Sequence, residues 1–120
     1  MTFDEIKNIL SAIDDPALKL EMVMDFGARL SAVPDGAICS EITGCASRVE
    51  ICRVANNFYA RADSAIVRGI VAILMSMVDG KTPDEIRTMD LHAMFSSLNL
   101  NLGAGRLNGI NSMILFFQNL

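Results

Sequence analysis

The chain has no tryptophan, one tyrosine, one histidine and three prolines in 120 residues. A lone histidine, His92, leaves little room for the imidazole-rich metal sites that need several. Ten Lys and Arg are scattered among fourteen Asp and Glu, for a net charge of −4. With no row of cations to neutralise phosphates, nucleic acid is not an expected partner. No apolar run approaches the ~18 residues of a membrane span. The most apolar stretch, Ile66 to Val78, has Arg68 inside it and reads as a helix buried nearly all round. The opening residues MTFDEIKN put acids where an export signal carries bases, so a cytoplasmic location is expected. Three cysteines, Cys39, Cys45 and Cys52, are an odd number in a chain large enough to hold itself together without staples. Free thiols are expected, and a disulfide scaffold is not.

What the sequence does have is apolar periodicity, with 52% apolar residues and no repeat, low-complexity tract or linker. One domain over residues 1–120 is expected. Thr2 with Glu5 forms a capping-box pattern, followed by a helical stripe of Ile6, Ile9, Leu10 and Ile13. Asp14-Asp15-Pro16 ends that helix and opens a second, which runs through Leu18, Met22 and Phe26 to about Leu30. Pro34-Asp35-Gly36 breaks the pattern. From Ile38 to about Ala62 the residues alternate, with a turn at Asn56-Asn57, which predicts two or three short antiparallel strands. Two flank Asn56, and the third precedes Cys45. Asp63 or Ser64 caps the buried helix, which Asp79-Gly80 ends. Thr82-Pro83-Asp84-Glu85 is a second capping box, a helical turn covers Leu91 to Leu98, and a last helix runs from Arg106 to about Asn119. The sum is an α+β protein, with a small antiparallel sheet of about three strands flanked by N-terminal and C-terminal helices.

Chemistry is scarce along this chain. The cysteine spacings of six and seven match no zinc or iron–sulfur pattern, so no metal site and no cofactor are expected. Gly103-Ala104-Gly105 opens a helix without the strand that a phosphate cradle requires. The acid pairs Asp14-Asp15 and Asp84-Glu85 sit at helix N-termini, where the macrodipole favours them. Met22, Met75, Met77, Met94 and Met113 fall at helical spacing and read as core. Cys52 sits in a strand beside Ile51 and reads as a small buried residue. Cys45 stands apart, because Gly44 before it permits a tight or movable loop, and Ser47 offers a hydroxyl to a thiolate.

Gly44-Cys45-Ala46-Ser47-Arg48-Val49 resembles the GCxSxV element of the SufE family of sulfur-acceptor proteins. Three further motifs follow in the family's order. Asp63-Ser64-Ala65-Ile66-Val67-Arg68-Gly69 is similar to its SDAxIVKG helix start, and Gly80 to Ile86 to its G-x-TP-x-EI turn. Leu102 to Ile110 is similar to the closing LSPSR-x-NGL segment. The resemblance implies an α+β fold and a persulfide carrier that is not itself an enzyme. Its implied partners are a pyridoxal-phosphate cysteine desulfurase of the SufS/CsdA kind and a downstream iron–sulfur scaffold. It implies Cys45 as the sulfur-accepting residue, with Gly44, Ser47, Asp63 and Arg106 as loop-supporting or partner-facing residues. Cys45 is expected to be shielded in the lone protein, a monomer, and to swing out on Gly44 when the desulfurase docks. Glu50 departs from the family's usual aromatic. Two rival readings remain. One is a thiol oxidoreductase cycling Cys45 with Cys39 or Cys52, and the other is a module that binds a desulfurase without accepting sulfur.

Overall fold

In the computed structural model, which describes residues 1–120, local sequence chemistry accounts for each helix start. Helix α1 (Phe3–Ser11) and helix α4 (Pro83–Arg87) each begin in a complete capping box, Thr2 with Glu5 and Thr82 with Glu85. In both boxes the hydroxyl accepts the third backbone N–H while the glutamate accepts the cap residue's own N–H. Asp15 caps α2 (Pro16–Ala28), Ser64 caps α3 (Ala65–Val78) and Asp90 caps α5 (Leu91–Ser96) through side-chain oxygens. Of the two residues expected at the start of α3, Ser64 is the cap. Helix α6 (Ala104–Gln118) follows Gly103, which has a positive φ of 79° and offers no side-chain cap. No helix is long and apolar enough to cross a membrane.

Three strands, β1 (Ile38–Glu41), β2 (Val49–Val54) and β3 (Asn57–Ala62), form an antiparallel sheet in the order β1-β2-β3. The expected α+β architecture is therefore the observed one, third strand included. The β2–β3 turn is Ala55-Asn56, one residue earlier than the sequence suggests, with Ala55 at a positive φ of 52°. That conformation favours glycine over alanine, so tertiary ties hold it. Gly80 N–H donates to the Asn56 carbonyl, and Asp79 Oδ1 accepts from Phe58 N–H, fastening the hairpin tip to the end of α3.

Side chains alternate across a strand. Val49 and Ile51 of β2 and Phe58 and Ala60 of β3 are buried, and α3 packs against β3 on that side. From Gly69 onward α3 has no exposed residue, as its composition implies. Met75, Met77 and Met113 lie in the same core, with Met22 and Met94 packed against it. The other sheet face bears Glu50, Cys52, Tyr59 and Arg61, joined across the β1–β2 register by Cys39 opposite Cys52 and Glu41 opposite Glu50. Strand β1 lies at the sheet edge, and its four residues are all exposed.

The cysteines depart from expectation. Cys39 and Cys52 form a disulfide, leaving Cys45 as the one free thiol. The physical reason is register. Ile42 N–H donates to the Val49 carbonyl, so the ladder alternates and Cys39·Cys52 falls at a non-hydrogen-bonded position, where facing side chains approach most closely. Their Cα atoms are 3.9 Å apart. Sequence spacing alone says nothing of that pairing.

Candidate functional site

The Ile42–Val49 pair closes a six-residue loop, Thr43 to Arg48, between the exposed strand β1 and the central strand β2. At its bend Gly44 takes a positive φ of 89°. A side chain there would be strained, and a Cβ would lie 2.5 Å from Ser112 Oγ on α6. The loop therefore lies down on α6. It brings Cys45 against Gly109, where an added Cβ would lie 3.1 Å from the thiol sulfur. Cys45 Sγ sits 3.8 Å from the Gly109 carbonyl oxygen, within reach of a weak S–H donation.

The thiol borders a cavity of about 500 Å³ walled by Ser47, Val67, Ile70, Leu102, Arg106 and Met113, among others. Ile70, Leu102 and Met113 are buried core residues, so the floor is apolar. Ser47 Oγ is buried with no hydrogen-bond partner. A buried unpaired hydroxyl is costly, and here it borders the cavity that Cys45 also borders. Arg106 lines the same cavity and donates from Nη1 to the Leu102 carbonyl at 3.2 Å, holding the segment that leads into α6. A second cavity, about 610 Å³, lies between α1, α2, α3 and β3 and holds no thiol or imidazole.

The five residues singled out in the sequence thus separate. Gly44, Cys45, Ser47 and Arg106 gather at the cavity or the loop that carries its thiol. Asp63 does not reach it with its side chain. It is exposed, and its contribution is a backbone N–H donated to the Arg48 carbonyl at the loop's far end. His92 is exposed on α5, outside both cavities. Gly109 is the residue sequence reasoning undervalued. Its motif was visible, but only the packing of loop on helix shows that the missing side chain makes room for the thiol.

Burial pushes the Cys45 thiol above the usual cysteine range, because desolvation penalises the thiolate. A raised pKa leaves less of the thiolate, which is the nucleophilic form. Alkylation of Cys45 by iodoacetamide is expected to rise with pH to an inflection above that of free cysteine. A profile at or below the free-cysteine value would refute the shielding. The same shift makes stability depend on pH. Keeping the thiol neutral favours the fold fully below the unfolded-state pKa, and that contribution is lost as pH rises through the folded one.

Taken together, this is an α+β fold that presents one free thiol on a loop bent at a glycine, over an apolar cavity. The SufE family model, the Fe-S metabolism associated domain, matches residues 4–120. The chain belongs to the SufE family. It is 32% identical over 122 residues to the sulfur acceptor protein CsdE of Escherichia coli (strain K12), covering 94% of this chain and 83% of that protein. An uncharacterised SufE-like protein of Rhizobium meliloti (strain 1021) is 30% identical over 125 residues, covering 94% and 89%. The solution structure of a hypothetical protein from Thermus thermophilus matches with a TM-score of 0.71 at 13% identity, over 99% of this chain and 94% of that one. At that identity it speaks to the fold alone.

Proposed function

We propose that this chain is a sulfur acceptor for a pyridoxal-phosphate cysteine desulfurase, that Cys45 carries the sulfur, and that residues 1–120 act as one domain. The observation that carries the reading is the single free thiol at the cavity mouth. Membership of the family that includes a named sulfur acceptor supports it. The Cys45 thiolate attacks the outer sulfur of a persulfide held on the desulfurase. A new S–S bond forms at Cys45, the desulfurase persulfide bond breaks, and that enzyme's own cysteine leaves as a thiolate. The proton lost by Cys45 ends on it, so that one thiol and one persulfide give one persulfide and one thiol.

Docking would lift the loop off α6 about Gly44, exposing a thiol that is otherwise poorly ionised. On return, the apolar cavity keeps water and stray thiols from the persulfide, with the Ser47 hydroxyl at hand for its terminal sulfur. Ser47, Gly44 and Arg106 are in this reading positioning residues. The carrier has no turnover of its own and hands the sulfur toward iron–sulfur cluster assembly. The oxidoreductase reading loses ground, since Cys39 and Cys52 are each other's partners and Cys45 has none.

The test is the intact mass of the protein after incubation with a cysteine desulfurase and cysteine, without reductant. The wild type is expected to gain one or more sulfur atoms and Cys45→Ser none. A gain that survives the substitution would sink the assignment of Cys45. A variant that gains no sulfur yet still stimulates the desulfurase fully would favour the non-transferring module.

A further inference from the structure

The open face of the sheet, away from the Cys45 cavity, carries a second group of reactive side chains. Cys39, Glu50 and Cys52 bring their sulfur and carboxylate atoms within 4.8 Å of one another. Strand pairing sets the arrangement, since Cys39 faces Cys52 and Glu41 faces Glu50 across the β1–β2 ladder. Two carboxylates directly opposed across strands repel each other. Arg48 and Arg61 relieve this in part, through Glu41 at 3.9 Å and Glu50 at 2.5 Å, but both are exposed arginines whose pairs are cheaply exchanged.

We propose that the Cys39–Cys52 pair, once reduced, forms with Glu50 a binding site for a thiophilic divalent cation, zinc being the ion it fits best. Tetrahedral zinc with Zn–S bonds near 2.3 Å places its ligand atoms about 3.6–3.8 Å apart. Cys52 Sγ already lies 3.8 Å from Glu50 Oε1. Once the bond between them is cut, the two sulfurs need only part to ligand separation, which the exposed Cys39 on an edge strand can absorb. The Ala37 carbonyl oxygen, 4.0 Å from Cys39 Sγ, or a water completes the set. Two thiolates and one carboxylate give a charge of −3, which a divalent cation offsets, and two soft sulfur donors select zinc over magnesium or calcium.

The chemistry balances with a small dithiol as reductant. It gives up two electrons and two protons and closes to a cyclic disulfide, while the Cys39–Cys52 bond breaks and each sulfur gains a proton. The cation then displaces both protons and forms two metal–sulfur bonds. The site is a two-state staple, with disulfide or metal tying β1 to β2. It is independent of the sulfur-acceptor reading, because it makes no use of Cys45.

The test is titration of the anaerobically reduced, desalted protein with Zn²⁺ against a chromophoric chelator, and with Cd²⁺ followed by cadmium–thiolate absorption. Reduced wild type and reduced Cys45→Ser are expected to bind one ion per chain. The oxidised protein and reduced Cys39→Ser are expected to bind none above background. Glu50→Gln is expected to weaken binding by about 10-fold or more. Bound Zn²⁺ is expected to protect Cys39 and Cys52, but not Cys45, from alkylation. Binding that survives Cys39→Ser, that vanishes with Cys45→Ser, or that is no stronger after reduction overturns the proposal. So does an affinity indifferent to Glu50→Gln, which is also the result for thiols on an unfolded reduced chain.

Discussion

Gly69→Ala is expected to destabilise the fold by about 3 kcal/mol, at the upper end of what overpacking costs. For a chain of 120 residues that lowers the melting temperature by roughly 12 °C. The cause is backbone against backbone. A Cβ on Gly69 would run into the carbonyl group and side chain of Val23 on α2, and one on Gly27 would lie 2.5 Å from the Gly69 nitrogen. The two helices touch through these glycines, and neither carbonyl nor amide can rotate away as a side-chain end could. Against this stands the ordinary gain of alanine over glycine inside a helix, about 1 kcal/mol. Gly105 on α6 supplies the control, since a Cβ there meets nothing within 4 Å. Gly105→Ala should therefore leave stability unchanged or raise it by up to about 1 kcal/mol. Thermal unfolding of the two variants beside wild type decides the matter. Equal shifts would show that helix propensity outweighs the α2–α3 contact.

That contact illustrates what the sequence could and could not reveal. Local signals were legible because their causes are local. The boxes at Thr2 and Thr82, proline after Asp15, and the apolar run of α3 each stabilise a helix start or body within a few residues. The hairpin was legible as alternation, but its turn was displaced by one residue. Asn56-Asn57 has the better turn chemistry, and the ties from Asp79 and Gly80 override it in favour of Ala55-Asn56. The thiol loop was legible through its motif. Its cavity was not, because Val67, Leu102, Arg106, Gly109 and Met113 come from separated parts of the chain and meet only in the packed fold. The clearest miss, free thiols at Cys39 and Cys52, has the same root. Spacing of thirteen residues carries no information on pairing until strand register places the two sulfurs face to face.

Opening that disulfide is expected to cost about 3 kcal/mol, the loop entropy returned to an unfolded chain when a ring of about 15 residues is cut. The ring spans thirteen residues of separation and contains Cys45 near its middle. The cost is bounded from above by β1 itself. The strand pairs only with β2 and buries none of its four residues, so after reduction it can fray and regain part of that entropy in the folded state. Fraying has a second consequence, because β1 leads directly into the loop that lays Cys45 on α6. With the bridge intact, the loop is anchored at Ile42 and Val49 by a clamped ladder. With the bridge open, that anchor rests on backbone hydrogen bonds alone, and Cys45 should leave Gly109 more often. Urea unfolding of oxidised and reduced wild type, with a Cys39→Ser, Cys52→Ala double variant as a bridge-free reference, measures the first effect. Iodoacetamide labelling of Cys45 in the oxidised protein and in the double variant, resolved by peptide mass, measures the second. A lower urea midpoint and faster Cys45 labelling are expected without the bridge. An unchanged midpoint would mean that the unfolded chain gains little from the cut, and unchanged labelling would mean that the packing of Gly44 and Cys45 on α6 holds the thiol without help from the sheet.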